Sequence, residues 1–279
     1  MTRHLPLGAN AVNTHPMLGL IGAGSIALAL ARGLAAPVVC TDAGSGRAKA
    51  LVAEMGGVAA ADNSELAAMA DIVILCHQPA RLEAVAAEFR APPKVVVSLL
   101  SSIPLDRVER AYPDVPVFRF AVTLPIALRR GLICYAGSRS SNVEREREIL
   151  RAFSVLGSLI RVDEGLLPAI AAVANPALTA LLVESQVDAG LRHGLPAAVA
   201  LNAVQQGLIG VAALLCDGAM DTLAIRRAIS TPGGPTSHLI AAAEDASIRA
   251  SIQAATDAYV ARYGAQAAEA SAAEPRNHG

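Results

Sequence analysis

The sequence predicts an α/β protein in two parts, a doubly wound sheet followed by an all-α helical domain. Three observations carry that expectation. Apolar runs of strand length alternate with helical stretches from Met17 to Val162, which is how a sheet with helices on both faces reads in sequence. The first run leads straight into Gly22-Ala23-Gly24-Ser25-Ile26-Ala27 and a helical pattern through Leu34. After Glu164 the alternation stops and only helical patterns follow.

Each element follows in order. Met17–Ile21 is the first strand, and its turn has the G-x-G-x-x-A form of a Rossmann-type, dinucleotide-binding start. Gly22 permits the tight turn, Gly24 lets the backbone approach a pyrophosphate, and Ala27 lets helix and strand pack closely. The helix that opens at Ser25 and Ile26 then points its free N–H groups at the phosphates. Pro37–Thr41 is the second strand and ends at Asp42, where an acidic side chain would hold the adenosine ribose of NAD. Arg47 follows closely and would instead meet the 2′-phosphate of NADP, so the residues leave NADP and NAD both open. Ser64 is expected to cap a helix through Met69. Asp71–Cys76, Lys94–Leu100 and Val115–Ala121 are continuous apolar runs, as in strands buried on both faces. His77 stands at a strand's carboxyl end, where ligands sit in open α/β sheets, or is a half-exposed loop histidine. Ile133–Ala136 and Ser158–Val162 are the last strands and bracket a charged helix, Val143–Leu156.

Beyond them come a long helical stretch, Leu167–His193, with Pro176 inside it or between two segments, and then Pro196–Cys216, Asp221–Ala228, Thr236–Asp245 and Ser247–Tyr263. The expected organisation is a disordered leader at 1–16, a dinucleotide-binding domain at 17–164, a helical substrate and dimerisation domain at 165–263, and a disordered tail at 264–279.

Composition narrows the function classes. The chain has 279 residues, 53% of them hydrophobic, and a net charge of −1 without clustered positive charge, so it carries no nucleic-acid footprint. Four scattered cysteines lack metal-ligand spacing, which points to a reducing cytoplasm without disulfides or a bound metal. The N-terminus lacks the long apolar core of a signal peptide. Two uncharged runs, Gly165–Val183 and His193–Cys216, have the length of membrane spans, but their Asn, Gln, Thr and Pro residues read as buried helices of a soluble protein covered by a second subunit.

The chemistry is expected in Ser230-Thr231-Pro232-Gly233-Gly234-Pro235-Thr236-Ser237. Gly233, Gly234 and Pro235 form a turn that a ligand can approach closely, and Thr236 or Ser237 is placed to cap the next helix, whose start would hold a small carboxylate. The only lysines are Lys49 and Lys94, so a hydroxy- or keto-acid dehydrogenase, which on this plan uses a lysine in the helical domain, lacks its acid/base. Reduction of an imine demands less, because a C=N nitrogen arrives protonated and a neutral hydroxyl, Thr231 or Thr236, suffices to orient it.

These motifs resemble the pyrroline-5-carboxylate reductase family over about 17–263. Leu20–Ala27 is similar to the family's F-I-G-A-G-N-M-A, Val187-Asp188-Ala189-Gly190 with Gly194-Leu195-Pro196 to its A-D-A-G…G-L-P, and Ser230–Thr236 to its T-S-P-G-G-T-T. The resemblance implies that Asn63 contacts the ribose side of the cofactor, and that Ile74-Leu75-Cys76-His77-Gln78-Pro79 stands for I-L-A-V-K-P, with His77, Gln78 and Pro79 against the cofactor. It implies Thr236 beside the imine nitrogen, Thr231 as a second hydroxyl, and Gly233–Thr236 as a carboxylate cradle. It also implies an intertwined homodimer. Three segments depart from the family. M-P-N-T-P beside the nicotinamide is Ala121-Val122-Thr123-Leu124-Pro125, with Thr123 for Asn; S-G-S-G-P-A-Y is Ala172–Leu178; A-A-G is Leu100-Ser101-Ser102. The expected activity is NAD(P)H-dependent reduction of 1-pyrroline-5-carboxylate to proline. A reductase of a related imine, a hydroxy- or keto-acid dehydrogenase, or a dinucleotide-binding regulator without turnover is the alternative.

Overall fold

The structure is a computed structural model that describes residues 16–137 and 143–272; the rest of the expected leader and residues 273–279 of the expected tail lie outside the described residues. The chain divides into two compact units, with breaks after Leu167 and after Arg262.

The first unit holds one eight-stranded sheet: β1 (Leu18–Ile21), β2 (Val38–Thr41), β3 (Gly57–Ala59), β4 (Ile72–Leu75), β5 (Val96–Ser98), β6 (Val117–Val122), β7 (Gly131–Gly137) and β8 (Gly157–Arg161). Its order is β3-β2-β1-β4-β5-β6-β7-β8, with every pair parallel except β6 with β7. Helices α1 (Ser25–Leu34), α2 (Arg47–Met55), α3 (Asn63–Met69), α4 (Leu82–Ala86), α5 (Leu105–Ala111) and α6 (Val143–Ser154) complete the layers. The continuous apolar runs are explained by the two cores. Ile72 and Ile74 of β4 belong to one buried cluster, with Leu20, Phe118 and Phe153. Val73 and Leu75 belong to another, with Ile21, Leu66 and Val96. Successive strand residues point to opposite faces, so a strand between two helical layers needs an apolar residue at every position.

One helix start differs from expectation. α3 is capped by Asp62, whose carboxylate accepts from the Glu65 amide at 2.7 Å. Ser64 instead accepts from the Arg90 amide and donates to the Glu88 carbonyl, both at 2.9 Å. Asp, Asn and Ser in succession are all competent caps, and the Arg90–Glu88 partners, distant in sequence, decide which is used.

The second unit is helical. After α7 (Leu167–Val173) come α8 (Pro176–Arg192), α9 (Ala197–Asp217), α10 (Thr222–Ile229), α11 (Pro235–Asp245) and α12 (Ile248–Ala272). Pro176 therefore separates two helices. It sits at the first position of α8, where its missing N–H costs nothing, and the Asn175 side chain accepts from the Ala177 amide at 2.9 Å. α8 and α9 were expected to be buried. In the single chain they are not: α8 has no buried residue and α9 only Ala200, while Leu181, Leu208, Ile209 and Leu214 are exposed. Paired with each other, two helices that are apolar on most sides still leave their outer faces uncovered. By length and composition the helical stretch Glu164–Arg192, which ends in α8, and α9 are long and apolar enough to cross a membrane.

The tail expected from 264 is helical as far as Ala272, because α12 passes through Gly264 into an alanine-rich stretch of high helix propensity. The last part of α12 belongs to the first unit. There the buried Arg119 of β6 donates to Glu164 and to the Tyr263 hydroxyl. Arg107 of α5 donates to Glu83 at 2.8 and 2.6 Å and to the Ala270 carbonyl.

Candidate functional site

Strand order reverses between β1 and β4, and in open α/β sheets the ligand crevice lies at the carboxyl ends beside such a reversal. Gly22 forms its floor. Its amide donates to the Thr41 carbonyl at 2.9 Å, and its φ of +103° is one that only glycine adopts without strain. A Cβ there would stand 2.8 Å from the Cys76 carbonyl. Gly24 is different. Its φ of −83° suits any residue, and a Cβ would meet nothing within 4 Å. The bare backbone at Gly24 is therefore not required by the chain's own packing, and it leaves the start of α1 open to a phosphate group. Ala23 lies between the two glycines, and Ser25 and Ile26 form the first turn of α1.

A cleft of about 180 Å³ opens beside Gly22 and gathers Asp42, Asn63 and His77, together with Arg81 and Glu88. Asn63 is buried; its Oδ1 accepts from Thr41 Oγ1 at 2.6 Å and its Nδ2 donates to Glu88 at 2.5 Å. Asp42 Oδ1 accepts from the Gly44 amide at 2.9 Å. Its Oδ2 accepts from Ser45 Oγ at 2.8 Å and from the Ala48 amide at 2.9 Å. The Ala48 amide foremost holds the Asp42 carboxyl below the usual carboxylate range.

His77 Nδ1 lies 2.9 Å from the Gln78 carbonyl, which assigns the ring proton to Nδ1 and leaves Nε2 an acceptor. Nε2 is shielded and has no partner among the described residues. Burial pushes the imidazole pKa down against the Gln78 contact. A depressed value means that the unfolded chain takes up the proton first as pH falls, so stability is lost on acidification from an imidazole's ordinary 6.5 downward. The stability advantage of the wild type over His77→Gln is thus expected to shrink between about pH 7.5 and 5.5 in urea unfolding. A pH-independent difference would refute it.

The other expected cofactor residues stand elsewhere. Arg47 is exposed and its Nε donates to Ser45 Oγ at 3.0 Å. Gln78 and Pro79 line a larger cavity of about 570 Å³ with Ser101, Ser102, Arg107 and Gln266. Thr123 follows β6, and its Oγ1 accepts from the Leu132 amide at 2.9 Å, tying the β6–β7 connection together. Thr41, Arg81 and Glu88 were not expected in the cleft; only the polar Thr41 at a strand's end gave a signal.

The second unit holds the loop. Thr231–Gly234 is a β-turn with proline second and glycine third: Gly233 has φ +72° and the Gly234 amide donates to the Thr231 carbonyl at 3.0 Å. A Cβ on Gly234 would lie 2.3 Å from Thr231 Oγ1, so glycine makes room for that hydroxyl. Neither Thr236 nor Ser237 caps α11. Pro235 takes the first helical position, which moves the cap back to Gly234, and Ser237 Oγ donates to the Gly234 carbonyl at 2.7 Å. Thr236 is half-buried, and among the described residues its hydroxyl takes no hydrogen bond. Ser230 Oγ, to which sequence reasoning assigned no role, is shielded and unpartnered among the described residues.

Comparison with known proteins matches two family descriptions, "Pyrroline-5-carboxylate reductase dimerisation" over 164–265 and "NADP oxidoreductase coenzyme F420-dependent" over 17–102. A pyrroline-5-carboxylate reductase of Synechocystis sp. is 28% identical, over 68% of this chain and 73% of its own. One of Corynebacterium melassecola is 27% identical, over 86% and 95%. The crystal structure of Plasmodium falciparum pyrroline carboxylate reductase with NADP bound superposes with a TM-score of 0.81 at 20% identity, over 90% of this chain and 98% of that one. The NADP oxidoreductase description supports an NAD(P) cofactor, and the dimerisation description supports a homo-oligomer. With its glycine-turned sheet and its helical second unit, the chain is similar to pyrroline-5-carboxylate reductases over most of its length and carries their dimerisation domain at 164–265.

Proposed function

We propose that the protein reduces a cyclic imine carboxylate with NAD(P)H, and that its substrate is 1-pyrroline-5-carboxylate, giving proline. The observation that carries this reading is the uncommitted Thr236 hydroxyl at the head of α11, next to the Thr231–Gly234 turn. The names of the relatives support it. Gly22, Ala23, Gly24, Ser25 and Ile26 would hold the cofactor's phosphates, and Asp42, Asn63 and His77 its adenosine end; the orphaned His77 Nε2 and the open face of Gly24 suit such a group. The bound nicotinamide supplies a hydride to the imine carbon.

The chain's own part is binding and orientation. The turn at Gly233, Gly234 and Pro235 shapes the carboxylate cradle, in which the amides of Gly233 and Thr236 would be the donors, with Thr231 as a second hydroxyl. Thr236 Oγ1 accepts from the protonated imine nitrogen and keeps its hydrogen bond as that nitrogen becomes an amine. The proton is already on the substrate, so no protein acid is needed. Of the two lysines, Lys94 is engaged by Asp71 at 2.7 Å and Lys49 lies on α2, which disfavours a lysine-dependent dehydrogenase. The homo-oligomer is a cytoplasmic dimer whose subunits cover the exposed faces of α8 and α9.

The test is oxidation of NADPH and NADH by the purified protein with pyrroline-5-carboxylate and with piperideine-carboxylate. Turnover on the first supports the proline reading. Turnover only on the second assigns the changed Thr123 and Asn175 segments to another ring. Cofactor binding without turnover on either defeats the enzyme reading in favour of a regulator. Thr236→Ala is expected to lower kcat by ~10–100-fold with cofactor affinity unchanged, the range for one hydroxyl aimed at the reacting atoms; an unchanged kcat removes Thr236 from the mechanism.

A further inference from the structure

We propose that Asp42 makes this protein an NADH enzyme by filling, with its own carboxylate, the place a 2′-phosphate would take. The inference rests on the reading of the cleft beside Gly22 as the adenosine end of the cofactor site. The turn after β2 presents two amides, of Gly44 and Ala48, and the Ser45 hydroxyl to a single point at the head of α2. Such a set of donors would serve a phosphate that arrived there. Here the point is taken. Both Asp42 oxygens are used, at 2.8–2.9 Å, by these three donors.

The surroundings reinforce the exclusion. Arg47, the one cation of the turn, is turned onto Ser45 Oγ at 3.0 Å and does not line the cleft. Of the cleft's own charges, Glu88 and Asp62 are negative like Asp42, while Arg81 alone is positive and lies 3.7 Å from Glu88. A doubly charged phosphate would meet a carboxylate at close range with its donors already occupied. The ribose 2′-hydroxyl of NADH brings no charge, and Asp42 Oδ1, with a single protein donor, retains capacity to accept from it. The independent sign that this cleft takes a ligand is His77 Nε2, a shielded acceptor without a partner among the described residues.

Calorimetric titration of the purified protein with NADH, NADPH, 5′-AMP and adenosine 2′,5′-bisphosphate tests the proposal without turnover. The wild type is expected to bind NADH ~10–100-fold more tightly than NADPH, and 5′-AMP more tightly than the bisphosphate. Asp42→Ala empties the donor set and is expected to reverse both orders. Asp42→Asn removes the charge while keeping an acceptor for the turn, and is expected to bring the NADH and NADPH affinities together even if the alanine variant folds poorly. Equal or tighter binding of NADPH by the wild type overturns the proposal while leaving the cleft a cofactor site. Parallel loss of both cofactors in Asp42→Asn overturns it as well, since Asp42 would then only brace the turn. Binding of none of the four ligands overturns the reading of the cleft and the proposal together.

Discussion

Gly22→Ala is expected to abolish measurable dinucleotide binding and to destabilise the protein by about 2–5 kcal/mol. Two costs combine. The backbone stands at φ +103°, which an L side chain adopts only under strain. The new methyl would also meet backbone, at 2.8 Å from the Cys76 carbonyl and 2.9 Å from the His77 amide, and neither can swing aside as a side-chain end would. Both contacts belong to the end of β4, whose Cys76 amide donates to the Ile21 carbonyl at 2.9 Å. Relief would therefore pull β4 from β1 at the point where the cleft opens. Gly24→Ala is the matched control. Its backbone is ordinary and its Cβ would project into open space, so stability is expected to stay within about 1 kcal/mol of the wild type. Cofactor affinity is nevertheless expected to fall by ~10-fold or more, because the space a Cβ would take is the space a pyrophosphate needs. Urea unfolding and calorimetric titration of the two variants separate the roles. A Gly24→Ala protein that binds cofactor at full strength would show that the ligand does not approach α1 there. A Gly22→Ala protein of undiminished stability would refute the strain argument.

Where the sequence was legible, the reason was periodicity or a backbone demand. β1, β4 and β5 were readable because a strand covered on both faces shows apolar residues without alternation, and the cores divide Ile72 and Ile74 from Val73 and Leu75 accordingly. The turn at Gly22 and the loop at Gly233 were readable because both need positive φ. What stayed hidden was the choice among competent polar partners. Asp62, Asn63 and Ser64 all suit a helix start, and only the fold brings Arg90 and Glu88 to Ser64. Asp42 was expected to face a ribose, and nothing in the sequence showed that three donors of its own turn also hold its carboxylate. Thr123, expected beside the cofactor, has its hydroxyl taken by the Leu132 amide of a hairpin whose antiparallel pairing no local pattern announced. The exposed faces of α8 and α9 mark a similar limit, since their apolar residues are written for a covering that one chain does not contain.

Glu164→Ala is expected to destabilise the protein by about 3–5 kcal/mol, the usual cost of leaving a buried charge without its partner. Arg119 sits in Val117-Phe118-Arg119-Phe120, a central strand that is otherwise apolar, and its side chain is 7% exposed. No neighbour in sequence explains a guanidinium there. Its partners, Glu164 and Tyr263, are 45 and 144 residues away, and only the carboxylate carries charge. The same Glu164 oxygen also accepts from the Leu105 amide at 2.6 Å, at the start of α5, so its loss would free a second donor. Tyr263→Phe removes only a neutral contact and is expected to cost about 1 kcal/mol. The pair need not favour the folded state over an apolar replacement, since both charges had to leave water. Arg119→Met combined with Glu164→Ala should therefore be more stable than Glu164→Ala alone, because the orphaned charge has gone. A double-mutant cycle from urea unfolding decides the matter. Additive losses would mean that Arg119 and Glu164 act independently. A double variant that recovers stability would show that the two charges need each other more than the fold needs the pair.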